Sequence, residues 1–238
     1  MNSTNTGNRF ARGVLSLLGV SALLMGAGWA LANKAGAPGG LISSSAEKGK
    51  PEASPALPAP GTYQIDPAHS FVYFSAWHHI VGLVRGRFNN TTGTITVAKD
   101  PAACALEVTI DTYGISTQFT ERDDDLRGPA FFDVRKFPTM TYQGRGIRQT
   151  LDGQWSMEGT LSIRGKSKAV PITFTFKGLF PDTPANRPPR ASFHAVAAIK
   201  RGDFGMIRDN KMELGVPPVP GNDVEIEIDV EANKIEPK

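Results

Sequence analysis

The chain has 238 residues, 40% hydrophobic and 21% charged, with 25 Gly and 18 Pro. This Gly and Pro content lies under the ~25–30% typical of low-complexity chains, so collagen-like, coiled-coil and wholly disordered classes are excluded. The lone cysteine, Cys104, excludes an intramolecular disulfide and any Cys-based zinc or iron–sulfur site.

The formal net charge is +3 and the pI about 9.0. Five of the 26 basic residues (Arg9, Arg12, Lys34, Lys48, Lys50) and two of the 23 acidic ones (Glu47, Glu52) precede Pro60. The remainder balances, so all of the excess charge belongs to the N-terminal segment. A neutral body lacks the electrostatic footprint of a nucleic-acid binder, and no nucleic-acid partner is expected.

Residues 1–32 have the organisation of an export signal. Arg9 and Arg12 form a positive n-region, no charge occurs from Gly13 to Asn33, and Ala30-Leu31-Ala32 is a small-x-small cleavage site. The uncharged stretch exceeds a usual h-region and approaches the length of a membrane span. Two readings follow, a cleaved signal peptide or an uncleaved N-terminal anchor. Both place the body across a membrane. Residues 33–60 hold five prolines and form a flexible linker.

From Thr62 onward, period-two alternation predicts antiparallel strands with one wet face. Between His69 and His78, Val72, Phe74, Ala76 and His78 oppose Phe71, Tyr73, Ser75 and Trp77. Thr92–Val97 and Leu106–Asp111 alternate next. Thr120-Glu121-Arg122-Asp123 then resembles a capping box, with Thr120 as N-cap. The acidic run Asp123–Asp125 suits the helix dipole better than calcium, whose EF-hand spacing is absent. Asp123 and Arg127 are spaced for an i,i+4 pair, and Gly128-Pro129 must end the helix. Phe131, Phe132 and Phe137 could pin this excursion onto the sheet. Strands follow at Trp155–Ile163, Ala169–Lys177, Phe193–Ile199 and Val224–Glu231. About eight strands, one short helix and no βαβ spacing predict an all-β fold, a closed antiparallel barrel or a sandwich. An eight-stranded barrel can fill its interior or hold one ligand.

The ordered set of local patterns is similar to the YceI-like family of bacterial periplasmic polyisoprenoid-binding proteins. It comprises Tyr63-Gln64-Ile65-Asp66, His69-Ser70, Gly93-Thr94-Ile95 and Ile115-Ser116-Thr117. The most specific block is Arg122-Asp123-Asp124-Asp125-Leu126-Arg127-Gly128-Pro129-Ala130-Phe131-Phe132-Asp133-Val134. Gly159–Gly165, Arg201-Gly202-Asp203-Phe204-Gly205-Met206 and Val224-Glu225-Ile226 close the pattern. The resemblance implies an eight-stranded lipocalin-like barrel over 61–238. It further implies a non-enzymatic carrier, with an isoprenoid chain or isoprenoid quinone in the lumen and no other cofactor.

The resemblance also supplies the choice of face. Inward-pointing, ligand-lining positions are then Val72, Phe74, Ala76, His78, Val108, Ile110, Met140, Tyr142, Leu161, Ile163, Ile172, Phe174, Phe193, Ala195 and Ala197. Each either packs the barrel or touches the ligand, and the three alanines leave room for a chain. Arg122, Arg127 and Arg201 are candidates for holding a head group; the alternative is pairing with Asp123, Asp125 and Asp203. No metal site is expected, since adjacent His78 and His79 face opposite sides of a strand. The expected location is the periplasm, with the inner-membrane surface as a candidate partner. Val216–Pro220 is expected to reshape one barrel mouth. The competing functional classes are a barrel-type enzyme acting on a small amphiphile and a filled structural barrel working through its surface.

Overall fold

The computed structural model describes residues 56–79, 81–180, 188–207 and 221–235. The expected export segment, most of the linker and the Pro-rich stretch 216–220 lie outside them. Among the described residues no helix is long and apolar enough to cross a membrane.

The strands are β1 (Gly61–Ile65), β2 (Phe71–His78), β3 (Gly82–Phe88), β4 (Thr91–Val97), β5 (Ala105–Asp111) and β6 (Ile115–Ser116). After helix α1 (Thr120–Arg127) come β7 (Thr139–Gln149), β8 (Trp155–Ile163), β9 (Lys166–Ala169), β10 (Ile172–Phe180), β11 (Arg190–Lys200) and β12 (Asp223–Ile235). β1 and β2 both lie antiparallel along β12, with Gln64 opposite Asn233 and Val72 opposite Ile228. They form one bent stave. β3 and β4 form a second, paired to β2 and β1. With β5, β7, β8, β10, β11 and β12 they make eight antiparallel staves, and the β1–β12 pairing closes the barrel. Each stave pairs with its neighbour in sequence, so the connections emerge alternately at two ends. β6 and β9 are short additions on β3 and β8.

Alternation produces this directly. Along β12 the half-buried Val224, Ile226, Ile228 and Val230 point inward while Glu225, Glu227, Asp229 and Glu231 face water. Where the expectation differs, a local cause is visible. The segment expected as one strand over 169–177 is two, β9 and β10, because Pro171 has no N–H to donate to a ladder. Val170 N–H instead reaches Gly159 O at 2.9 Å. The short hairpin from β8 to β9 turns on Arg164 (φ 53°) and Gly165 (φ 70°), as a two-residue hairpin of primed type requires.

The helix ends at Gly128 as expected, but its start is a correction. Its N-cap is Phe119, without a side-chain cap bond, and Thr120 is already helical. The buried Asp123 carboxylate reaches back at the helix start, as the capping-box reading expects, but past Thr120. It accepts from Thr117 N–H (2.7 Å) and Thr117 Oγ1–H (2.5 Å) in the preceding loop. The expected Asp123–Arg127 pair is therefore replaced by Arg127–Asp124 at 2.9 Å, one residue closer.

Two apolar clusters occupy the barrel. A larger one runs from Val72 and Ile110 through Met140, Leu161 and Ile172 to Phe131, Phe204 and Met206. A smaller one joins Tyr63, Ile65, Val97, Phe176, Ala191, Phe193 and Ala232 at the end where β1 begins and β12 finishes.

Candidate functional site

The barrel encloses a cavity of about 580 Å³. This is within the roughly 300–1,000 Å³ of small-molecule sites. A barrel filled by its own side chains is not compatible with this volume. Every lumen position expected from the sequence lies on the cavity wall: Val72, Phe74, Ala76, His78, Val108, Ile110, Met140, Tyr142, Leu161, Ile163, Ile172, Phe174, Phe193, Ala195 and Ala197.

The two ends differ. At one, Ile65 and Phe193 are almost fully buried, and Phe193 packs against Phe176 with ring centroids 5.4 Å apart and planes tilted by 48°. The smaller cluster thus forms a floor. The Tyr63 hydroxyl leaves it to donate to Ala59 O at 2.7 Å, and burial pushes the Tyr63 phenol up. At the other end the wall includes exposed residues, His78, Phe119 and Glu121, so the cavity opens there. The excursion between β5 and β7 lies across this mouth. Phe132 packs edge-on to Phe88 at 5.4 Å, and Phe88 meets Phe74 at 5.7 Å. An aromatic chain therefore fixes the excursion to the wall.

Glycines opposite large side chains keep the middle clear. A Cβ on Gly86 would lie 2.4 Å from Phe74 Cζ, and one on Gly159 2.3 Å from the Tyr142 ring. Both rings therefore pack close against glycine backbone that no larger residue could replace without a shift. The Tyr142 hydroxyl donates to Val170 O at 3.0 Å. Burial first, then the Glu158 charge, holds its proton far above the usual phenol range.

The arginines part company. Arg122 and Arg201 line the cavity; Arg127 does not. Arg127 donates to Tyr113 O (3.0 Å) and Ile115 O (2.8 Å), tying α1 to the β6 segment. Arg122 donates to Thr117 Oγ1 (2.7 Å) and Thr117 O (3.0 Å) and lies over the Phe119 ring. It thus shares Thr117 with Asp123. Arg201 is buried and donates to Gly221 O (2.9 Å) and Met206 O. Burial lowers its pKa. Both guanidinium groups serve to anchor loops around the mouth.

The histidines do not converge in the lumen. His69 bonds Asp66 at 2.9 Å, and Arg190 bridges Asp66 (3.0 Å) and Glu231 (2.7 Å). His194 bonds Asp229 at 2.9 Å. Both groups carry three potential metal ligands within reach of each other. In the first, Arg190 already engages the carboxylates. Cys104 is buried in the β4–β5 turn, beside Ala98 N–H at 3.4 Å.

The wall also holds residues that were not among the expected lumen positions, among them Val84, Phe88, Ile95, Leu106 and Met157 on the staves and two further groups. Val224, Ile226, Ile228 and Val230 were legible in the alternation of β12 and complete the wall beside Ala76 and Phe74. Glu121, Asp125, Leu126 and Phe119 come from the excursion, whose placement no local period reveals.

Known proteins share this architecture. A "UPF0312 protein" of Yersinia pestis (strain Pestoides F) is 34% identical over 150 residues, spanning 62% of this chain and 77% of its own length. The crystal structure of Burkholderia cenocepacia BcnA superposes with TM-score 0.59 at 20% identity, over 71% of this chain and 99% of that one. A polyisoprenoid binding domain from Saccharophagus degradans, implicated in plant cell wall breakdown, gives TM-score 0.54 at 14% identity, over 74% and 100%. At such identities the two structures speak for the fold. Residues 63–232, nearly the whole barrel, match the YceI-like domain, and the chain belongs to that family.

Proposed function

We propose that this barrel binds an isoprenoid lipid, a polyprenyl chain or isoprenoid quinone, and carries or stores it in the periplasm without chemical conversion. The observation behind this reading is a closed barrel whose 580 Å³ lumen is walled almost wholly by apolar side chains and open at one end. Each methylene moved from water into such a lumen contributes roughly 0.8 kcal/mol, so a long chain binds without any charged partner. The name of the Saccharophagus degradans domain points to the same ligand class. The export pattern of residues 1–32 supports a periplasmic location, by cleaved signal or retained anchor.

A catalytic role finds less support. The phenol deepest among the titratable wall groups, Tyr142, is protonated and engaged by Val170 O. The ionisable groups Glu121, Arg122, Asp125 and Arg201 lie at the mouth.

Organic extraction of natively purified protein, followed by lipid mass spectrometry, tests the reading. Near-stoichiometric isoprenoid is expected. Recovery of no lipid, together with no uptake of an added prenyl quinone, would overturn it.

A further inference from the structure

The outer face of β12 carries five carboxylates at two-residue spacing: Asp223, Glu225, Glu227, Asp229 and Glu231. The row is neutralised at its ends, where Lys200 pairs with Asp223 at 2.7 Å and Arg190 with Glu231 at 2.7 Å. Glu225 accepts from Ser75 Oγ–H at 3.3 Å. In the middle, among the described residues, neither Glu227 nor Asp229 pairs with a lysine or arginine. The register gives the reason. Glu227 lies between Val196 of β11 and Tyr73 of β2, and Asp229 between His194 and Phe71. Thr175 of β10 stands on the other side of His194. Arg87, opposite Tyr73 and one strand further on, is turned over the Phe71 ring, 5.0 Å from its centroid. His194 alternates with the lumen residues Phe193 and Ala195, so it faces outward with the acidic row. Its Nδ1 lies 2.9 Å from Asp229 Oδ1, and donor atoms of His194, Glu227 and Asp229 all lie within 4.8 Å of one another.

We infer that His194, Glu227 and Asp229 bind a divalent transition-metal ion, zinc being the type, on the outside of the barrel. Calcium and magnesium take oxygen ligands, so the imidazole selects a transition ion. Zinc holds nitrogen and carboxylate oxygen at roughly 2.0–2.2 Å in a tetrahedron, which sets donors about 3.4 Å apart. The 2.9 Å pair must widen and the longer separations close. Both changes are rotations of side chains that water reaches, and the same exposure leaves the fourth position to water. The second cluster of this kind supports the assignment by contrast. Asp66, His69 and Glu231 also bring three donors together, but there Arg190 supplies the positive charge, at 3.0 Å from Asp66 and 2.7 Å from Glu231. A proton on His194 is the competing partner in the outer cluster, and it neutralises one carboxylate of the two. Ala195 and Ile228, opposite each other between the three ligands, line the lumen. A bound ion therefore fastens β11 to β12 directly behind the wall, whatever the lumen holds.

The test is calorimetric titration of tag-free, full-length protein, stripped with a chelator, with zinc chloride and in parallel with magnesium and calcium chlorides. One zinc per chain is expected, and neither magnesium nor calcium should displace it. His194→Ala and Glu227→Gln should each weaken zinc binding at least about tenfold, the lower limit for perturbing even the groups around a metal ligand. Both positions face water, so the variants should match the wild type in circular dichroism. His69→Ala, in the cluster that Arg190 neutralises, should leave zinc affinity unchanged. Zinc should raise the Tm of the wild type and not that of His194→Ala. No zinc binding by the wild type, wild-type affinity in His194→Ala or in Glu227→Gln, or loss of binding in His69→Ala would overturn the inference. None of these outcomes bears on lipid binding.

Discussion

The two ends of the barrel are built on different terms. The floor comes from the staves themselves: Tyr63, Ile65, Phe176, Phe193 and Ala232 are strand residues, close-packed and nearly dry. The mouth comes from an insertion. Residues 112–138 leave the β5–β7 meander, form α1, and return carrying Glu121, Arg122, Asp125 and Phe132 onto the rim. The floor is held by close apolar contact between side chains that do not titrate at neutral pH. The mouth combines apolar packing, Phe132 on Phe88 and buried Phe131 and Phe204, with hydrogen bonds from Arg122, Arg127 and Arg201 to backbone carbonyls. On the lipid-binding proposal, entry and exit of a ligand belong to this end, where the exposed His78, Phe119 and Glu121 reach the cavity wall.

This contrast can be broken in graded steps. The largest effect is expected at the floor. Phe176→Ala removes a buried ring and should lower unfolding free energy by about 3–5 kcal/mol, read from urea denaturation. A loss under 1 kcal/mol would mean that the floor is not close-packed. Ala195→Phe, in the middle of the wall, should leave stability nearly unchanged because the added ring enters open space. It displaces about three chain methylenes at roughly 0.8 kcal/mol each, so lipid affinity should fall about fiftyfold. At the mouth, Arg122→Gln should cost about 1 kcal/mol of stability. Its main expected effect is faster lipid exchange, measured by stopped-flow transfer to vesicles. An unchanged exchange rate would argue that the excursion does not gate the cavity.

The smallest expected effect is at the bend between β1 and β2, where Asp66 follows the floor residue Ile65 and its N–H bonds Glu231 O beside Ala232. Burial alone would raise the Asp66 carboxyl, but bonds from His69 and Ala68 N–H and the charge of Arg190 outweigh it and lower the pKa. The folded state thus binds this proton less readily than the unfolded chain. The resulting stability is present above the unfolded value, near 3.9, and is lost as pH falls through and below it. Asp66→Asn should flatten part of the decline in urea midpoint between pH 5 and pH 3. An equally steep decline in the variant would mean that Asp66 contributes nothing to it.

Much of the staved wall was legible because one face of each strand is wet. Val72, Phe74 and Ala76 alternate against Tyr73 and Ser75, and the period gives the strand without further information. The period does not say which face is the lumen, since Phe71, Tyr73 and Trp77 are also large and apolar. That choice came from the family resemblance, and the wall follows it. The helix was legible from Gly128-Pro129 at its end but not at its start. Thr117, three residues before the expected cap, offers Asp123 two donors that a cap position does not. Arg127 illustrates the same limit. Its spacing suits a helix pair or a ligand contact, while its partners are Asp124 and carbonyls of Tyr113 and Ile115, brought close only by the return of the chain. The strands follow from local periodicity. The mouth depends on contacts between segments distant in sequence.

The most direct test compares extracts of two proteins purified side by side under native conditions, the wild type and Ala195→Phe. Lipid mass spectrometry should find near-stoichiometric isoprenoid in the first and clearly less in the second, with both folded by circular dichroism. Equal lipid in both, or none in the wild type, would contradict a ligand held in the lumen.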